Sequence, residues 1–147
     1  MKNYSDKILE SWGQNNALYV KWCNLNNYNF YQILVLYTMN CHDIITQKRI
    51  ADCNGLSKQT VSSVMKILKE NNLVYLCEDS NDKRKKIVKF TEKGREYANN
   101  ILKPLYQLEE RVLEIIGEDK MKQMIDSINL YNLVFSQEME NLKNEKL

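Results

Sequence analysis

The stretch that decides the fold is Thr46-Gln47-Lys48-Arg49-Ile50-Ala51-Asp52-Cys53-Asn54-Gly55-Leu56-Ser57-Lys58-Gln59-Thr60-Val61. Thr46 is an N-cap residue ahead of a short helix through Cys53, Asn54-Gly55-Leu56 is a turn, and Ser57 caps a second helix running to about Asn71. Three positions set the geometry. Ala51 is small enough for two helices to cross closely, Gly55 four residues later supplies a left-handed turn, and Val61 plugs the space between the helices. In the second helix Val61, Val64, Met65 and Leu68 fall at i, i+3, i+4, i+7, which predicts one buried face. The opposite face carries Lys58, Gln59, Ser62, Ser63 and Lys66, short or cationic groups able to bond bases and phosphates in a major groove.

Beyond this helix-turn-helix, Asn71-Asn72 offers a stop that tolerates the left-handed conformation. Leu73–Glu78 and Lys86–Thr91 read as paired strands around the polar loop Asp79-Ser80-Asn81-Asp82-Lys83-Arg84-Lys85. A charged hairpin tip is ordinarily a solvated loop, but beside a helix-turn-helix it reads as a wing. Arg84 has the reach to enter a minor groove, and Asp82 could hold the wing or Arg84 through an ion pair.

Helical patterns flank this centre. Ser5-Asp6 can cap a first helix with Ile8, Leu9, Trp12, Tyr19, Trp22 and Cys23 on one broad face, broken by the Asn-rich stretch Asn24–Asn29. Phe30, Ile33, Leu34 and Tyr37 repeat as a second helix stripe. A long amphipathic helix carries Tyr97, Ile101, Leu105, Leu108, Val112 and Ile116, with Pro104 expected to bend it. After Gly117-Glu118-Asp119, a last helix spaces Met121, Met124, Ile128, Tyr131, Phe135, Met139 and Leu142 by threes and fours. One proline and four glycines in 147 residues argue against an all-β fold. The expected fold is mainly α with a small β-hairpin wing: an N-terminal helical dimerisation region over 1–30, a winged helix-turn-helix over 31–96, and a C-terminal helical dimerisation region over 97–147. The terminal stripes hold more apolar surface than a small central domain covers, so a homodimer is the expected assembly.

Composition narrows the function. The whole chain carries 21 Lys and Arg against 19 Asp and Glu, a net charge of +2. Residues 46–96 hold 12 of those cations and 7 of the anions, or +5, leaving −3 for the rest. A basic motif segment between acidic helices suits nucleic-acid binding. The longest apolar run, Ile33–Tyr37, is too short for a membrane span, and residues 1–9 show no signal-peptide core. Cys23, Cys41, Cys53 and Cys77 are widely spaced and lack a CxxC pair, so reduced thiols in a cytoplasmic protein are expected. His42 is the single histidine, flanked by Cys41 and Asp43; no metal, cofactor or catalytic triad is expected.

The sequence resembles the MarR family of bacterial winged-helix regulators. The resemblance is carried by Thr46–Ala51, by Leu56-Ser57-Lys58-Gln59-Thr60-Val61-Ser62, by Leu68–Val74, and above all by Asp82-Lys83-Arg84 followed by Phe90-Thr91-Glu92-Lys93-Gly94. It is clear over about Ile33–Tyr97. Two departures stand out: Asn72 where the family often has glycine, and Leu76 where it favours a basic residue. The resemblance implies a homodimeric regulator with one winged helix per half-site of a near-palindromic double-stranded DNA operator, acting as a repressor. On that reading the DNA-binding residues are Thr46, Gln47, Ser57, Lys58, Gln59, Thr60, Ser62, Ser63, Lys66, Asp82, Lys83, Arg84 and Lys85. It further implies a small aromatic effector, for which Tyr19, Trp22, Tyr31, Tyr37 and Tyr97 are candidates, although aromatics at helical spacing are more often core. Some relatives sense peroxides through a thiol near the N-terminal helices. Cys23, next to Trp22 and near Lys21, is the corresponding candidate, with a buried small hydrophobe as the alternative. A winged-helix protein-interaction module without DNA binding is the competing class.

Overall fold

The structure, a computed structural model, describes residues 2–144, with the side chains described from residue 3. Met1 and residues 145–147, included in the terminal regions expected above, lie outside the described residues. The elements run α1 (Lys2–Leu25), α2 (Phe30–Asn40), β1 (Ile45–Thr46), α3 (Gln47–Asn54), α4 (Lys58–Glu70), β2 (Val74–Glu78), β3 (Lys86–Phe90), α5 (Glu92–Ile116) and α6 (Glu118–Asn144). They form two compact units, the first ending at Leu102 and the second beginning at Lys103. The boundary falls inside α5, two residues before Pro104, whose missing N–H removes a helical hydrogen bond.

In the first unit, α1 starts before Ser5-Asp6, which therefore lie inside the helix instead of capping it. Both are exposed, so neither has to bury a polar group, and nothing between Lys2 and Ser5 interrupts the helix. The helix ends in a Schellman-type turn. Asn27 takes a left-handed φ of 57°, and Tyr28 N–H bonds Cys23 O at 2.9 Å. Asn29 then caps α2, its side chain accepting from Gln32 N–H.

The stripe expected for α2 differs from the buried set, which is Ile33, Val35, Leu36, Thr38 and Met39, while Leu34 and Tyr37 are half-buried. The reason is enclosure: α2 packs on α1, α3 and α4, so more than one face is covered. Thr38, a buried polar residue, is satisfied twice. Its hydroxyl donates to Leu34 O at 2.7 Å and accepts from Asn54 Nδ2 at 2.9 Å.

The sheet has three antiparallel strands in the order β1-β3-β2. The hairpin pairs Val74 with Phe90 through to Glu78 with Lys86, as expected. The third strand, β1, was not legible; Ile45 pairs with Val88 and Thr46 with Ile87. This pairing buries Ile45, Ile87 and Val88 and anchors the start of α3 to the centre of the sheet.

In the second unit, Gly117 at φ 87° separates α5 from α6. No side chain of α6 is buried among the described residues. Met124, Ile128, Phe135, Met139 and Leu142 are all exposed, and Tyr131 stacks on Phe135 at 5.9 Å.

Candidate nucleic-acid interface

The sequence builds the helix-turn-helix through two caps and one glycine. Thr46 Oγ1 accepts from Arg49 N–H at 3.1 Å and starts α3. Gly55 takes φ 61°, and Leu56 N–H closes on Ala51 O at 3.0 Å. Ser57 Oγ accepts from Thr60 N–H at 3.0 Å and starts α4. A second contact, 2.8 Å between the hydroxyls of Ser57 and Thr60, makes both part of the cap. Ala51 and Val61 are buried where the helices cross, and Val64, Met65 and Leu68 complete the inward face of α4.

The outward face is the expected one. Lys58, Gln59, Ser62, Ser63 and Lys66 are all exposed, and Thr60 is half-buried. Lys66 reaches Glu70 at 3.9 Å with both side chains mostly in water, a pair too weak to withhold the ammonium from a phosphate. Thr46 and Gln47 are half-buried at the start of α3. Lys48 and Arg49, not among the DNA-binding residues expected from sequence, are exposed beside them and extend the cationic surface along α3.

The wing is held by its own short-range bonds. Asp79 N–H bonds Lys85 O at 3.0 Å, and Lys85 N–H bonds Asp82 O at 2.9 Å. Asp79 and Asp82 each fold into an Asx turn, accepting from the backbone N–H groups of Asn81 and Arg84. The ion-pair partner of Asp82 is Lys85, at 3.8 Å, whereas Arg84 is held through its backbone amide. A carboxylate two residues before Arg84 is placed for that N–H, and this leaves the guanidinium exposed at the tip. Asp82 thus positions the wing, with Lys83, Arg84 and Lys85 outward. At its base Lys86 Nζ bonds Glu78 Oε1 at 2.8 Å, and this bond lowers the pKa of the Glu78 carboxyl.

One of the effector candidates borders a cleft. A cleft of about 440 Å³ is lined by Tyr31, Gln32, Ser57, Gln59, Thr60, Ser63, Val64 and Ile67, among others. Of the five aromatic candidates Tyr31 lines it; Tyr19, Trp22, Tyr37 and Tyr97 do not. Tyr31 is 46% exposed, whereas the other four are half-buried. Trp22 lies against Tyr28 at 5.8 Å, and the Tyr97 hydroxyl accepts from Gln32 Nε2 at 3.1 Å. Ile67, exposed on α4, gives the cleft an apolar wall that the helical pattern alone did not assign.

Cys23 is 1% exposed, and burial pushes its thiol pKa up. This opposes the thiolate that peroxide chemistry requires, and Lys21 does not compensate. Cys41 and Cys53 are exposed. Among the described residues no three His, Cys, Asp or Glu side chains cluster as a metal site.

A sequence model of the MarR family matches residues 28–85, which span α2, the helix-turn-helix and the wing tip. That match supports a MarR family winged helix-turn-helix regulator. Two HTH-type transcriptional regulators of Staphylococcus aureus, from strains MSSA476 and Mu50, are each 27% identical to it over 121 residues, 80% of this chain and 83% of theirs. The solved structure of NMB1585, a MarR family regulator from Neisseria meningitidis, superposes with a TM-score of 0.80 at 25% identity, covering 92% of this chain and 96% of that one. Staphylococcus aureus MarR, solved with salicylate and kanamycin, shares the fold at a TM-score of 0.67 and 22% identity, covering 92% of each chain. Staphylococcus aureus MepR, solved with DNA, does so at 0.61 and 21%, covering 90% of this chain and 96% of that one. The chain therefore has the winged helix-turn-helix fold of MarR family regulators, and the curated relatives it matches are HTH-type transcriptional regulators. No helix among its described residues is long and apolar enough to cross a membrane.

Proposed function

We propose that this protein is a homodimeric repressor that reads a near-palindromic double-stranded DNA operator through α4 and the wing. The observation that carries this reading is the pairing of two exposed polar surfaces. Lys58, Gln59, Ser62, Ser63 and Lys66 line one side of α4, and Lys83, Arg84 and Lys85 form the wing tip. Ser57 and Thr60, engaged at the start of α4, and Thr46 and Gln47, at the start of α3, suit phosphate and groove-edge contacts at helix N-termini. MepR, of the same fold, has been solved on DNA, which supports the same use here.

Dimerisation is supported by apolar surface left in water. Leu108, Val112 and Ile116 of α5, and Ile128, Phe135 and Leu142 of α6, are exposed, as are Leu9 and Trp12 of α1. Helical stripes of this length are buried most simply against a second copy. A twofold dimer places its two recognition helices about one helical turn apart, roughly 34 Å.

Release by a small aromatic ligand is the second part of the reading. The cleft at Tyr31 is supported as its site because its other wall is α4 itself, through Ser57, Gln59, Thr60 and Ser63. A planar, weakly polar molecule stacked on Tyr31 and Ile67 would occupy hydroxyls that the operator needs, giving it different affinities for the free and DNA-bound states. Regulation through Cys23 is less well supported, given its burial.

Enrichment of duplexes from random DNA tests the reading, followed by footprinting of the enriched sequence. The expected result is a near-palindrome protected over two successive major-groove faces. Recovery of no sequence above background would assign the fold to protein contacts instead.

A further inference from the structure

The end of α4 is held from outside the helix-turn-helix. After Glu70 the chain exposes three successive carbonyls, and the start of α5 bonds all of them. Asn71 O accepts from Lys93 Nζ at 3.0 Å, Asn72 O from Thr91 Oγ1 at 2.7 Å, and Leu73 O from Thr91 N–H at 3.0 Å. Thr91 Oγ1 also accepts from Gly94 N–H at 2.9 Å, so the same hydroxyl caps α5 while gripping the turn after α4. Gly94 is buried, and a Cβ on it would lie 1.7 Å from Leu73 O, so α5 packs directly on that peptide. Within its own turn α4 is closed by Asn72 at φ 56° and by Leu73 N–H on Leu68 O at 2.9 Å.

β3 leads to Thr91 at one end and begins at the wing with Lys86 at the other. Thr91 therefore ties the end of the recognition helix to the strand that carries the wing. Base readout needs donors and acceptors held at a fixed angle to the groove, whereas phosphate contacts tolerate a tilt.

We infer that Thr91 and Lys93 are positioning residues for operator discrimination: by bonding the carbonyls of Asn71, Asn72 and Leu73 they fix α4 and the wing as one rigid reader. This rests on the DNA-binding reading above and adds residues that touch no DNA. Loss of the lock lowers discrimination between operator and other DNA, while binding through the wing and lysines persists.

The test compares Thr91→Val, which keeps the branched shape and loses both hydroxyl bonds, with Thr91→Ser, which keeps the hydroxyl. Lys93→Met provides a second, independent break should Thr91→Val fold poorly. The probes are a duplex enriched from random DNA by the wild-type protein and a scrambled duplex of the same composition. Thr91→Val should reduce the ratio of the two affinities roughly tenfold, with scrambled-duplex affinity within about twofold. The amides of residues 71–73 should exchange faster with solvent, and Thr91→Ser should restore both properties. The positioning role is overturned if a folded Thr91→Val protein keeps its ratio, or if Thr91→Ser is as impaired as Thr91→Val. A wild-type protein that shows no preference for any duplex overturns the DNA-binding reading itself, and faster exchange in Thr91→Val would still establish the lock.

Discussion

Arg84 is placed through its main chain and not through its side chain. Its backbone N–H is taken by Asp82, and the carboxylate of Asp82 is paired with Lys85. Position is thus fixed through the main chain and the guanidinium remains in water. Arg84→Ala should weaken operator binding by about 1–3 kcal/mol and reduce the slope of log affinity against log salt by about one, read by fluorescence anisotropy across salt concentrations. An unchanged slope would remove Arg84 from the interface. Of the two uses of an Asp82 ion pair that the sequence left open, the structure shows the one within the wing, with Lys85, and gives Arg84 a backbone bond instead. Cys23 marks a second residue-scale outcome. With its pKa raised in the folded protein, the native state binds more protons than the unfolded state between the two thiol pKa values. The Cys23 contribution to stability is therefore present below the ordinary thiol pKa and is lost as pH rises through the folded value. Thiol reagents should label Cys41 and Cys53 in the native protein and reach Cys23 only on unfolding; rapid native labelling of Cys23 would reopen thiol sensing.

At the scale of elements, α4 was fully legible because every local signal agreed. Its cap at Ser57, its inward positions at Val61, Val64, Met65 and Leu68, and its stop at Asn71-Asn72 all specify one helix with one buried face. By contrast α2 was legible as a helix but not as to its buried face, because enclosure by three neighbours is a tertiary fact. Strand β1 is two residues long and carries no period; only its pairing with β3 defines it. The lock on α4 was hidden for the same reason, since Thr91 and Asn72 stand nineteen residues apart. Leu68→Ala removes a side chain with no exposed surface and should cost about 2–5 kcal/mol in chemical unfolding. Lys86→Ala breaks an exposed ion pair and should cost less than about 1 kcal/mol. If the two costs were equal, the stability of the winged helix would rest on its surface pairs and not on the core beneath α4.

At the scale of the whole molecule, sequence patterns placed the terminal helices and suggested what their apolar stripes are for. The structure adds that α6 buries none of its side chains within one chain. The basic segment 46–96 and the acidic remainder split the net charge of +2 into +5 and −3, a division that suits the proposed roles in DNA contact and self-association. Phe135→Asp, which places a charge in the exposed stripe, should shift the protein from dimer to monomer in sedimentation and weaken operator binding with it. A dimer that tolerated this change would place the interface elsewhere. The Tyr31 cleft was not visible in sequence, because α4 supplies its opposite wall and that juxtaposition is a tertiary fact. Whether two copies read one operator through α4 and the wing is decided by titrating the protein into an enriched, fluorescently labelled duplex and measuring both stoichiometry and salt dependence. Two chains should bind per duplex, with affinity on the order of a thousandfold or more above that for scrambled DNA and a steep loss with salt. Equal affinity for both duplexes, or saturation at one chain per duplex with no loss of affinity in salt, would contradict that reading.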